Sequence, residues 1–275
     1  MLNLPNVTIC GVDTRVPELA LRALRHSMQS IHFGDAVLFT STVASRQPGQ
    51  DIRIVDIGVI NSIERYSTFM LRDLGNLIRT EFALITQWDG FVLNPQAWTD
   101  EFLEYDYIGA PWLNFPSQLA VGNGGFSLRS SRLMHALLDP EMVIQNPEDL
   151  CICHLNRERL ERNHGIRFAP LALAEKFAYE NTVPSTGTFG FHGIANLADA
   201  LSEDELEVLA ERMTPDMVFG AGARRLIRAM VQRSYAKPAR ILLKKRMHGR
   251  DYRWHTLSLW PRLWWRQVLK LLRST

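Results

Sequence analysis

"LITQWDGFVL", residues 84–93, is the stretch whose reading decides the fold. Leu84-Ile85-Thr86 reads as the end of a buried strand. Gln87-Trp88-Asp89-Gly90 interrupts it before the chain turns apolar again. A carboxylate beside a Trp at the end of an apolar strand is costly to bury without a partner. Asp-Gly is also a common turn dipeptide. The pair therefore reads either as a strand-end turn or as an acid held there for a ligand.

Working outward, "FALIT" (82–86) is a strand, and it follows a long helical pattern over 62–80. Further upstream, Val7–Cys10, 36–42 and 52–58 read as strands. A helix over 17–31 opens at Pro17, whose missing N–H is harmless at a helix start. Strands alternating with helices imply α/β units around a mainly parallel sheet. In such a sheet ligands bind beyond the carboxyl ends of the strands. Asp13 and Asp89 each follow a strand and are expected to face one crevice.

Downstream the pattern changes. Residues 94–105 read as a short helix, and 106–129 as loops with strands crossing the sheet edge. Helices are expected over 130–139, with Ser130 or Ser131 as cap, and over 146–166. A short strand at 167–170, a helical run at 172–180 and a Gly-rich loop carrying His192 follow. Ser202, with Glu205 three residues on, reads as a capping box opening a solvated helix.

The three cysteines, Cys10, Cys151 and Cys153, form no C-x-x-C pair and no even disulfide framework. They read as reduced, partly buried thiols in a reducing compartment. "MLNLPNVTICGVDTR" has neither a basic start nor an apolar core, so no signal peptide is expected. No apolar run of about 18 residues is present, which excludes a spanning helix.

The net charge of +2 hides an asymmetry: residues 224–275 hold 15 of the 31 Lys and Arg but one of the 29 Asp and Glu. An acidic body with a basic arm needs an anionic partner. The arm ends in "LSLWPRLWWRQVLKLLR" (257–273), where Arg262, Arg266, Lys270 and Arg273 share one helical face. A basic amphipathic helix rich in Trp reads as an interfacial membrane anchor or as a terminal helix docked on the body. No nucleic-acid partner is expected, because no binding fold accompanies the basic arm.

Four further features recur after Asp89 in one order: "YDYIGAPW" (105–112), "GNGGFSLR" (122–129), "EDL" (148–150) and "FGFHG" (189–193). Taken with "QWDGFVLNP..W", this order resembles the GT-A-fold nucleotide-sugar glycosyltransferases. It most resembles a bacterial glycosyltransferase-like family known only as a domain of unknown function, over about residues 50 to 195. It is more distantly similar to inverting β-1,3-galactosyltransferase-like enzymes.

The resemblance implies a GT-A-like (Rossmann-like) α/β domain over 1–200, with a mixed, mainly parallel sheet flanked by helices. A basic helical extension over 201–275 follows, with the membrane segment at about 250–275. The implied activity moves a sugar from a nucleotide-diphosphate donor to a hydroxyl of a surface glycan, with a lipid-linked acceptor explaining the arm. Gln87-Trp88-Asp89 resembles a D-x-D metal motif in which only Asp89 keeps its carboxylate. Asp89 and His192 are the implied ligands of Mn²⁺ or Mg²⁺. Asp149, or else Glu148, resembles the general base. Gly11, Asp13, Gln87, Trp88, Asp89, Asn123, Gly124 and Gly125 are the implied donor-binding residues, and Trp112 the acceptor platform. The expected location is cytoplasmic, peripheral on the inner face of the plasma membrane. A non-catalytic glycan- or nucleotide-binding protein and a nucleotidyltransferase are the alternatives.

Overall fold

Residues 2–12 explain most of the sheet. The computed structural model describes residues 1–41, 51–182, 187–249 and 256–265. In it β1 (Leu2–Val12) is the central strand of a six-stranded sheet. It pairs in parallel with β2 (Ile31–Thr40) on one side and with β4 (Phe82–Thr86) on the other. β3 (Arg53–Asp56) extends the parallel run beyond β2. β7 (Phe126–Ser130) pairs antiparallel with β4, and β6 (Tyr107–Gly109) antiparallel with β7. The spatial order is β3-β2-β1-β4-β7-β6. The fold is mixed α/β with a mainly parallel central sheet flanked by helices. Val7, Ile9 and Cys10 of β1 and Ala83, Leu84 and Ile85 of β4 are wholly buried, as strands covered on both faces require.

The chain leaves β1 for β2 on one side and returns from β3 to β4 on the other. The sheet's switch point therefore lies between β1 and β4, and ligand crevices form there. Gly11 pairs with Thr86, so the carboxyl ends of these two strands lie side by side. That places Asp13 and Asp89 at the same edge.

α1 (Pro17–Met28) covers the sheet and starts at Pro17. The pattern over 62–80 resolves into α2 (Ile63–Thr68), a π turn over Phe69–Asp73 and a 3-10 turn over Leu74–Asn76. Residues 94–105 form two 3-10 turns, Pro95–Ala97 and Asp100–Glu104, not a helix. α3 (Ser131–Ala136) takes Ser130 as its cap, with Oγ accepting from Leu133 N at 3.0 Å. The expected helix over 146–166 is broken. α4 (Glu148–Leu150) passes into a π turn and ends at Asn156, whose side-chain amide donates to Val143 O and Cys151 O. α5 (Arg157–His164) then restarts and stops at Gly165 in the left-handed conformation. Residues 167–170 make only an isolated bridge, Tyr107 with Phe168. The Arg167 N–H donates to the Asp106 carboxylate instead of to a strand partner.

After α6 (Leu171–Phe177) comes an element that periodicity does not announce. β5 (Phe91–Val92), β9 (Gly190–Phe191) and β8 (Ala178–Tyr179) form a second, three-stranded sheet. Part of the expected Gly-rich loop is thus strand. Phe102, Phe126, Phe177 and Phe189 pack beside this sheet with ring centroids 5.2–6.1 Å apart.

The chain divides into two compact units, Met1–His192 and Gly193–Thr275. The second contains α7 (Leu197–Ala200), α8 (Glu203–Arg212), α9 (Ala221–Gln232) and α10 (Ala236–Arg246). α8 carries the capping box read from Ser202 and Glu205. Lys245 Nζ donates to Ala210 O, Glu211 O and Met213 O at the other end of α8, where carbonyls are otherwise unpaired. Among the described residues no helix is long and apolar enough to cross a membrane. All three cysteines are buried and free, and burial pushes the Cys10 thiol up to about 12.

Ser130 carries two duties: it caps α3, and its Oγ–H donates to the buried Asp106 carboxylate at 2.6 Å. Ser130→Ala is expected to lose about 2–3 kcal/mol, since a cap and a charge-assisted bond vanish together. Urea unfolding of both proteins measures this.

Candidate functional site

The second sheet gathers a cluster from three distant segments. Its register sets Phe91 opposite Phe191, and Tyr179 opposite Phe191. The residues just beyond that row are Gly90, His192 and Glu180. The Phe91 and Phe191 rings meet edge to face at 4.7 Å, which fixes the row. His192 N–H donates to Tyr179 O at 2.9 Å and extends the pairing by one residue.

Residues 87–90 are indeed a turn, closed by Gly90 N–H donating to Gln87 O at 3.1 Å. They are also more than a turn, because Asp89 is 8% exposed and its carboxylate points inward. Asp89 Oδ1 lies 3.4 Å from His192 Nε2, and Glu180 Oε1 lies 3.5 Å from Nδ1. Nε2 also donates to Gln87 Oε1 at 3.2 Å, while Gln87 Nε2 donates to the Tyr66 hydroxyl at 3.1 Å. Burial opposes a charge on His192. Asp89 and Glu180 outweigh burial and raise the imidazole to about 10. His192 is an imidazolium at neutral pH.

A second cluster adjoins the first through the Asn123–Gly125 turn. Asn123 holds a left-handed φ of 62°, which Asn tolerates, and its Oδ1 accepts from Gly125 N. Gly125 O accepts from Gln87 N at 2.8 Å. The neighbouring Gly124 N–H donates to Asp149 Oδ2 at 3.0 Å. One turn therefore touches both Gln87 and Asp149. Asp149 is half-exposed, whereas Glu148 is buried in an ion pair with Arg129 Nη2 at 3.0 Å. Burial raises the Glu148 carboxyl, and Arg129 opposes this. Arg129 is itself 0% exposed, donates through Nε to Ser127 Oγ, and lies over the Tyr107 ring.

The glycines of "GNGG" make room for protein groups. A Cβ on Gly125 would sit 2.1 Å from His192 Nε2, and one on Gly124 would sit 2.2 Å from Glu148 Oε1. A Cβ on Gly122 would meet the Trp112 ring at 2.3 Å. Trp112 thus packs on Gly122, and on Phe115 with ring centroids 4.9 Å apart, keeping only part of its surface exposed. Asp13 Oδ1 accepts from Arg15 N and Val16 N at 2.8 Å, tying the loop into α1, and burial raises its carboxyl. Gly11 lies against Thr86, and Trp88 is half-buried on the 87–90 turn. Two contributors escaped the sequence reading. Glu180 belongs to no motif. Arg129 is the last letter of "GNGGFSLR" and looks like an ordinary outward residue of a strand.

The donor set does not fit a resident divalent cation. Oxygens face both nitrogens of His192, and the imidazolium that its raised value of about 10 favours has no lone pair for a metal. The imidazolium already balances Asp89. Among the described residues no three His, Cys, Asp or Glu side chains converge as metal ligands.

A family model described as "Protein of unknown function (DUF5672)" matches residues 50–192, half of the chain. The chain belongs to the DUF5672 family. The matched stretch contains Gln87, Asp89, the Asn123–Gly125 turn, Glu148, Asp149, Glu180 and His192. It therefore includes both clusters of this DUF5672 protein. No curated protein matches the chain.

Removing Arg129 strands Glu148 as a buried carboxylate. Arg129→Ala is expected to cost about 3–5 kcal/mol, read by thermal unfolding. At His192 the sign follows from the raised value. Its stabilisation is full below the ordinary 6.5 and is lost as pH rises through about 10. The stability gap between wild type and His192→Gln should therefore narrow between those two pH values in denaturant titrations. Nitrogen-15 NMR at pH 8 should show both ring nitrogens protonated; one bare nitrogen would contradict the ion-pair geometry.

Proposed function

We propose that this protein is a glycosyltransferase that takes a sugar from a nucleotide-diphosphate donor and passes it to a hydroxyl acceptor. One observation carries the reading. The Asn123–Gly125 turn sets a half-exposed carboxylate, Asp149, beside the Asp89–His192 cluster at the carboxyl edge of the sheet. Support also comes from the switch point between β1 and β4, where open α/β sheets take their ligands. The order of the five motifs and their resemblance to GT-A enzymes point the same way.

The chemistry needs two things. A base must accept the acceptor's proton as its oxygen attacks the sugar C1. Asp149 has the exposure for that role, whereas Glu148 is held by Arg129. The C1–O bond to the diphosphate then breaks, and the nucleoside diphosphate leaves with the electron pair. A cation must meet the charge on that leaving group. Both nitrogens of His192 are already engaged by Asp89, Gln87 and Glu180, so that cation has to arrive with the donor. Direct displacement by the acceptor inverts C1.

A second reading, a non-catalytic nucleotide- or glycan-binding protein, rests on Gln87 and Trp88 standing where the resembling enzymes carry acids.

Calorimetry with UDP and GDP, with and without Mn²⁺, on wild type and Asp89→Ala tests the donor site. Binding to wild type, weakened in the variant, is expected. No binding of either nucleotide by folded protein overturns the reading. Asp149→Asn should keep nucleotide binding and lower transfer by about 10²–10⁴-fold, the worth of a general base. Binding without turnover by wild type would favour the second reading.

A further inference from the structure

The last described stretch of the second unit, residues 256–265, divides its apolar residues between two directions. Leu259 and Leu263 are buried, 1% and 2% exposed, and the backbone bond from Leu263 N to Leu259 O holds them one turn apart. They are the inward face. The adjacent Trp264 and Trp265 are 65% and 57% exposed. Leu257 is 43% exposed, and Arg262 is exposed beside the pair. Two neighbouring indoles held in water by a buried Leu anchor are an interaction surface rather than a piece of core.

The charge of the same unit selects the partner. Residues 224–275 hold 15 Lys and Arg against the single acid Asp251. Arg225, Arg228, Arg240 and Lys244 are exposed on α9 and α10. The acidic residues of the unit concentrate on α8, where Glu207 pairs with Lys237. The sequence continues past Trp265 with Arg266, Lys270 and Arg273 and no acid. Indole prefers the boundary between water and hydrocarbon, where its ring is apolar and its N–H stays wet. Exposed aliphatic Leu257 fits acyl chains rather than a stack of bases.

We propose that Trp264 and Trp265 seat this unit in the interfacial layer of an anionic lipid bilayer, with the exposed Lys and Arg of the same unit supplying the attraction. The proposal stands apart from the sugar-transfer reading and survives its failure.

The test is co-sedimentation of the full chain with vesicles of phosphatidylcholine alone and of phosphatidylcholine mixed with phosphatidylglycerol. Binding to the mixed vesicles alone is expected, with a blue shift of Trp emission and loss of binding in high salt. The double variant Trp264→Ser/Trp265→Ser should bind about tenfold more weakly or worse, since it loses the apolar part of a two-part anchor. Its circular dichroism should be unchanged, because both indoles face solvent. Brominated lipid in the mixed vesicles should quench the wild-type emission, a readout independent of how the variant folds. No binding to the mixed vesicles, equal binding to both compositions, or unquenched emission overturns the proposal. Preference for a single-stranded oligonucleotide over the mixed vesicles would overturn it in favour of nucleic acid.

Discussion

The register of a very small sheet governs this site. Phe91, Phe191 and Tyr179 stand in one row, and everything chemical at that edge lies one or two residues beyond it. Slipping one strand by a single residue would turn each side chain to the other face. His192 would then leave Asp89 and Glu180, and two carboxylates would be left near a buried edge without their cation. Such short ladders carry little stability of their own. The aromatic packing of Phe91 on Phe191, and of Phe102, Phe126, Phe177 and Phe189 beside them, supplies what the backbone bonds lack. The hydrophobic layer thus sets the electrostatics.

The glycines of the 122–125 segment show the same dependence from the other side. Each stands where a neighbouring motif must come close: Trp112 at Gly122, Glu148 at Gly124, and His192 at Gly125. Beneath them the Arg129–Glu148 pair is sealed from water. A buried ion pair is weak support for stability, but it is unforgiving of partial loss. Here it fixes the start of α4, and with it the direction in which Asp149 faces. Of two adjacent acids, one is committed to the interior and the other remains half-exposed on the turn.

How much of this was legible in the sequence depends on length and range. β4 was read with its observed bounds because four apolar residues and a Thr lie between Glu81 and Gln87. The capping box at Ser202 was read because its signal is local. The helical pattern over 62–80 and 146–166 runs on through π turns, since apolar spacing does not register one extra residue in a turn. Strands of two residues have no period, so β5, β8 and β9 were invisible, and with them the reason that His192 meets Asp89. Asp89, His192 and Asp149 were legible as types in an order. Glu180 was not, because its role comes only from the pairing of β8 with β9. Arg129 was not, because an arginine in a strand implies solvent until its distant carboxylate is known.

The place of β1 has a consequence for how this chain can be divided. The five motifs all lie between β3 and Gly193, and a fragment limited to them would look complete on paper. It would lack the strand that separates β2 from β4. The wholly buried edge of Ala83, Leu84 and Ile85 would face water with its N–H and C=O groups unpaired. An apolar edge of that kind is a template for pairing with other chains. A fragment that keeps the site is therefore best cut to include β1 and β2, the first forty residues.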